Sequence, residues 1–301
     1  MLKRTAGCLA LAMMATVAAV AADPAPSAVP PSVCKLHLYA ALDMEMDNTG
    51  RITVPIALNG TPQRIMLDTG AAQTMIAHQT VEALGLKTKA APYGAGMKRF
   101  GGRFDDQQVT ISEFAIGEMK GRDVPLFVRS DDFDSAGLLG TDVLRNFDLE
   151  LDFANASLKL IAPNDCEYKT YWTSSHYGVV PFVVGRNHIV VKMKLDGEDI
   201  NAILDTGAAD SVMSLERAAK VFDLDKKALD RSRHYPFKTL SFGDVSVSNP
   251  AIELVPGREA AVLGGGRWDR NMIVGMGVLR RLHLYIDFKH QLLYVTPATQ
   301  Y

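Results

Sequence analysis

Two carboxylates stand out by their surroundings: Asp68 in Asp68-Thr69-Gly70-Ala71 and Asp205 in Asp205-Thr206-Gly207-Ala208, 137 positions apart. Each follows an apolar run, Ile65-Met66-Leu67 or Ala202-Ile203-Leu204, and stands on a turn that glycine permits. An ionisable group at the end of an apolar strand sits at the edge of a core. Proteins avoid one there unless it is paired or hydrogen-bonded. Brought together, two such groups become a pair of acids sharing one proton. One ionised and one protonated carboxyl can serve as general base and general acid on a single substrate.

The elements that must carry these residues form a repeat. Ile52–Gly60 lies over Ile189–Gly197; both alternate apolar residues with others and then turn at Asn59-Gly60 or Asp196-Gly197. That pattern is the short-range signature of a β-hairpin, and the return strand leads into the aspartate. Further on, Gly137-Leu138-Leu139-Gly140 and Met272-Ile273-Val274-Gly275 match at a spacing of 135, each followed by two apolar strands. A duplication is the economical account. The segments between are short strands with turn signals, which predicts an all-β fold with one short helix per lobe after the Asp-Thr-Gly turn, over Val81–Leu86 and Leu215–Val221. The boundaries predicted are a first lobe over 48–162, a linker over 163–177 and a second lobe over 178–301.

The halves differ in one informative stretch. From Asp68 to Gly117 is 49 residues, whereas from Asp205 to the matching Gly243 is 38. The surplus falls among Gly94, Gly96, Gly101 and Gly102, and predicts a hairpin flap that closes over a site. A second-lobe loop, Pro256 to Asn271, carries no phosphate-binding pattern and reads as a surface insertion, and Arg231 to His234 reads as a solvated turn.

Composition narrows the function. Hydrophobic residues make up 48% and charged ones 22%, the balance of a globular protein. A net charge of −2 offers no basic excess for nucleic acid. The seven histidines show no metal-ligand spacing, so no metal or cofactor is expected. Residues 1–22 have a basic start at Lys3-Arg4, an apolar run from Leu9 to Val20 and small residues at a cleavage position. That order predicts a signal peptide, and the run is shorter than the roughly 20 residues of a membrane span. A secreted or periplasmic chain follows, with residues 23–47 as an N-terminal extension and no stable membrane span after cleavage. In an oxidising compartment Cys34 and Cys166 would form a disulfide worth roughly 2–5 kcal/mol.

On these residues the sequence resembles the aspartic peptidases, in particular retropepsin-like members with two lobes in one chain. The resemblance covers both lobes: the apolar strand into Asp-Thr-Gly-Ala, the later Leu138-Leu139-Gly140 and Ile273-Val274-Gly275, and the strand pair after each. It implies two homologous β-barrel lobes about a pseudo-twofold axis, each giving one catalytic aspartate, Asp68 and Asp205. Thr69 and Thr206 would lock the two loops together, and Gly70 and Gly207 would let backbone N–H groups reach the carboxylates. The polar residue Asp142, replaced by Gly277 in the second lobe, would support the lobe interface. Ala71 and Ala208 stand where pepsin-like enzymes carry a hydroxyl, which implies a less acidic pH optimum. The implied protein is a monomeric endopeptidase acting on peptides or proteins; the alternative is a silent peptide-binding or scaffolding module of the same fold.

Overall fold

Strand pairing, rather than helix packing, organises this chain. The computed structural model describes residues 36–47, 50–98, 103–131, 134–164, 177–256 and 271–299. The signal peptide, Cys34 and Cys166, Gly101 and Gly102, and most of the linker and of the Pro256–Asn271 loop lie outside the described residues. Strands β1 (Leu38–Asp43) and β2 (Glu45–Met46) come first, inside the stretch that the sequence reads as an extension. Only Ala40 and Leu42 of β1 are buried, so its alternation is faint.

Hairpin β3 (Ile52–Leu58) and β4 (Thr61–Leu67) follows the pattern read from the sequence. Ile52, Val54, Ile56 and Leu58 are buried, and Asn59 and Gly60 turn the chain with φ of 50° and 80°. A two-residue turn of this kind suits the twist of the strands that it joins. Then come β5 (Met75–Ala77), helix α1 (His78–Ala83), β6 (Lys89–Ala90), β7 (Met97–Lys98) and β8 (Phe104–Asp105). The long hairpin β9 (Gln107–Ile116) and β10 (Met119–Arg129) leads to β11 (Gly137–Leu139), α2 (Thr141–Leu144), β12 (Asp148–Asp152) and β13 (Ser157–Ile161). Strands β3, β4, β11, β5, β10 and β9 close into a six-stranded barrel, sealed by Ala57↔Ala115 and Leu58↔Phe114. Within it β11 runs parallel to β4 and antiparallel to β5.

The second half contains β14 (Gly178–Gly185), β15 (His188–Leu195), β16 (Glu198–Leu204), β17 (Ser211–Ser214), α3 (Leu215–Val221), α4 (Lys226–Ser232) and β18 (Thr239–Phe242). It continues with β19 (Val245–Ser248), β20 (Ile252–Val255), β21 (Met272–Val274), α5 (Met276–Leu279), β22 (Leu282–Asp287) and β23 (Leu292–Pro297). The β15–β16 hairpin turns at Asp196-Gly197, and β21 again lies parallel to the strand before the aspartate.

Closure is not repeated, so two matching barrels are not what this chain forms. Where β10 is continuous, β19 and β20 are separated at Asn249, Pro250 and Ala251, with Asn249 at a φ of 47°. Proline has no N–H for a neighbouring strand. Strand β18 has four residues where β9 has ten. The second half therefore belongs to a large open sheet, 13-stranded among the described residues.

Helices also outnumber the one per half that the sequence suggests. Among the described residues the first half has α1 and α2, and the second has α3, α4 and α5. Helix α1 starts at His78 and stops before Gly85, which has a φ of 60°. The apolar residues from Val81 onward mark its buried side rather than its ends. Arg231 and Ser232 close α4 instead of forming a turn. Among the described residues no helix is long and apolar enough to cross a membrane.

The halves are joined by β12 and β22, paired antiparallel as Leu149↔Ile286, Glu150↔Tyr285 and Leu151↔Leu284. Glu150 and Tyr285 occupy equivalent positions of the repeat. The order β1-β13-β12 followed by β22-β23-β14 is accordingly symmetric about the seam. Leu149, Leu151, Leu284 and Ile286 face one shared hydrophobic core. On the other face Glu150 meets His283 at 3.0 Å and the Tyr285 hydroxyl donates to Asp148 at 3.2 Å.

Candidate active site

The buried ends of β4 and β16 deliver their chains to matching turns. Leu67 and Leu204 are fully buried, and the next backbone N–H groups, of Asp68 and Asp205, donate to Leu139 O and Val274 O at 3.1 and 3.0 Å. Asp68 Oδ1 accepts from Gly70 N and Ala71 N at 3.0 and 2.8 Å. Asp205 Oδ1 accepts from Gly207 N and Ala208 N at 2.9 and 3.0 Å. Each carboxylate is thereby aimed by its own turn.

Four hydrogen bonds made by the threonine hydroxyls tie the two turns together. Thr69 Oγ1 donates to Leu204 O at 2.7 Å and accepts from Thr206 N at 3.1 Å. Thr206 Oγ1 donates to Leu67 O at 2.7 Å and accepts from Thr69 N at 3.0 Å. Both threonines are fully buried, so no water competes for these groups.

Held this way, each carboxyl group packs against the glycine of the opposite turn. A Cβ on Gly70 would fall on the Asp205 carboxyl, and one on Gly207 on that of Asp68. Each glycine is therefore required by the opposite half. Gly70→Ala is expected to lower peptide hydrolysis by about 100-fold through displacement of Asp205. Kinetics beside a thermal melt will check it; unchanged kcat/KM would contradict this geometry.

Burial raises the proton affinity of both acids above the usual carboxylate range. For Asp205 the neighbouring charge of Asp68 raises it further. For Asp68 burial is opposed by the Ala71 N–H, by the bond from Asp205, by the Gly70 N–H and by the Arg129 guanidinium. The two carboxyls therefore hold one proton between them and titrate as a pair.

The pair floors a cavity of about 430 Å³. Met75, Met97 and Leu138 line it from the first half; Ile203, Val212 and Ile273 line it from the second. Arg51, Arg129, His188 and Asp210 add charge or hydrogen-bonding capacity. Of the flap residues, Gly94 turns the chain with a φ of 78°, and Gly96 packs so closely on the Phe104 ring that a Cβ would overlap it. They precede the β7–β8 hairpin, whose Met97 reaches the cavity wall.

Arg51, Arg129, His188 and Met97 are site residues that sequence reasoning missed. A signal existed for two of them: Arg51 and His188 are 137 apart, the spacing of the aspartates. Asp142, expected at the lobe interface, instead works within the first half. Its Oδ1 accepts from Thr74 N and Thr74 Oγ1 at 2.8 Å each and from Val143 N at 3.0 Å. Near it, Asn187 makes a contact across the halves, donating to Ala72 O at 3.1 Å and accepting from Arg145 at 3.0 Å. In the second half Gly277 N bonds Ala209 O directly at 2.9 Å, so no carboxylate is needed there. Asp142→Ala is expected to cost about 2–3 kcal/mol of stability by stranding these donors, read by urea denaturation. A loss below about 0.5 kcal/mol would show that the donors find other partners.

Residues 54–146, which hold Asp68 and the closed barrel's β4, β5 and β11, match the family model described as "gag-polyprotein putative aspartyl protease". The match covers less than half of the chain and is a similarity to a protease family. No curated protein matches the chain.

Proposed function

We propose that the chain is an aspartic endopeptidase in which Asp68 and Asp205 form one intramolecular dyad. The observation that carries this is the placing of both carboxyl groups, each against the glycine of the opposite half, by two Asp-Thr-Gly turns that are locked to each other. The ionised member of the pair takes a proton from a water molecule as the water oxygen attacks the scissile carbonyl carbon. The protonated member donates to the carbonyl oxygen, giving a tetrahedral diol. The diol then collapses: the proton taken from water passes to the amide nitrogen, the C–N bond breaks, and the carboxyl that gave its proton recovers it. The cycle consumes one water and leaves one carboxylic acid and one amine.

Duplication of an ancestral lobe accounts for the matched pairings and the symmetric seam. Export with cleavage after residue 22 belongs to the same proposal, supported by the order of basic, apolar and small residues at the N-terminus.

The experiment is cleavage of a fluorogenic peptide library by the mature protein from about pH 3 to 8, with and without pepstatin. Pepstatin-sensitive cleavage supports the dyad. A wild type inactive across the range, yet binding peptides, would move the reading to a silent peptide-binding module.

A further inference from the structure

We propose that the cleft selects a peptide with an acidic side chain within a residue or two of the scissile bond, and that Arg51 reads it. This rests on the peptidase reading above. Arg51 stands immediately before β3 and lines the same cavity as Asp68 and Asp205. Its backbone is pinned, with Arg51 N donating to Asp47 Oδ1 at 2.9 Å and Asp47 N donating to Arg51 O at 2.8 Å. Its side chain is not satisfied: Nε is shut off from solvent and has no acceptor.

The other cavity guanidinium is different. Arg129 donates to both carboxylate oxygens of Asp131, at 2.6 and 3.1 Å. Asp210 lines the cavity too, yet no ion pair joins it to Arg51. A guanidinium without an acceptor inside a cleft retains a planar fork of donors. That fork fits a carboxylate bidentately and fits an amide less well.

The two halves make the selection one-sided. At the position equivalent to Arg51 the second half has His188, and at the position equivalent to Arg129 it has Val255, packed in an apolar cluster with Val190, Ile203 and Ile273. Among the described residues that line the cavity, permanent positive charge is thus confined to the first half's wall. An acidic side chain is read on one side of the scissile bond, while apolar side chains suit the other wall.

The test uses peptide pairs that differ only by Glu or Gln at each position flanking the cleaved bond. Wild type, Arg51→Gln and Arg51→Lys are compared by kcat/KM. At one position Glu is expected to exceed Gln by about 10-fold or more in the wild type. The ratio should fall to near one in Arg51→Gln and recover in part in Arg51→Lys. The same pairs are titrated against full-length Asp205→Asn, with and without Arg51→Gln, by fluorescence anisotropy. That arm decides the matter even if nothing is cleaved, in which case the peptidase reading alone falls. No discrimination between Glu and Gln would overturn the proposal. So would discrimination that survives Arg51→Gln, or an equal loss on both peptides, which would mark Arg51 as structural.

Discussion

Asp205→Asn and Asp68→Asn are each expected to lower kcat/KM by about 10³-fold or more, with the fold retained. Asparagine keeps the shape and can accept the turn's N–H groups, but it cannot lend or take a proton. Either substitution removes the whole proton circuit, so the double variant should be hardly slower than the single ones. Activity that survives one substitution would break the intramolecular dyad.

The wild-type rate should follow a bell: it rises as the pair loses its first proton and falls as it loses the second. Burial moves both limbs upward, and each carboxylate is held by two backbone N–H groups without a hydroxyl beside it. The maximum should therefore lie well above the region around pH 2 where pepsin-like dyads begin to ionise.

Stability carries the opposite sign. Because the folded acids hold protons that the unfolded chain has released, stability falls as pH rises through the raised range. Asp205→Asn abolishes that titration. The variant should be more stable than wild type near about pH 7 and should lose this advantage below about pH 4, where both states are protonated. Urea denaturation across pH will read it.

Thr206→Val is expected to destabilise the protein by about 2–5 kcal/mol and to depress activity as well. Valine matches threonine in shape, so little cavity forms. What is lost is the acceptor for Thr69 N–H and the donor to Leu67 O, both in a site closed to water. Thr69→Val should behave alike, since it removes the mirrored pair of bonds to Thr206 N and Leu204 O. All four bonds belong to one network, so the double variant should fall short of the sum of the singles. A loss below about 1 kcal/mol would show that the turns are held by packing alone.

Much of this was legible in the sequence because it lies in contiguous stretches. Asn59-Gly60 and Asp196-Gly197 dictate tight turns, the apolar residues before Asp68 and Asp205 alternate or run together as strands require, and the two copies keep register. The open second half was not legible. Proline occurs in both copies of the relevant hairpin, and Pro125 is accommodated within β10 whereas Pro250 falls between β19 and β20. Which outcome holds depends on where the partner strand ends. The cleft's charges were hidden for another reason. Arg51 sits just ahead of an alternating strand and Arg129 at the end of one, places where a solvated charge is ordinary; only the folded chain brings them to one wall.

The seam between β12 and β22 has a consequence for how the protein behaves on dilution. Because Glu150 faces Tyr285 and the register runs symmetrically to either side, the contact has the form of a self-matching dimer interface. Two separate halves using it would obey mass action, and their activity per molecule would fall as the solution thinned. Here both sides travel on one chain, so assembly is a first-order event and the effective concentration of one half at the other is set by the connecting segment. Specific activity should stay level from micromolar to picomolar protein.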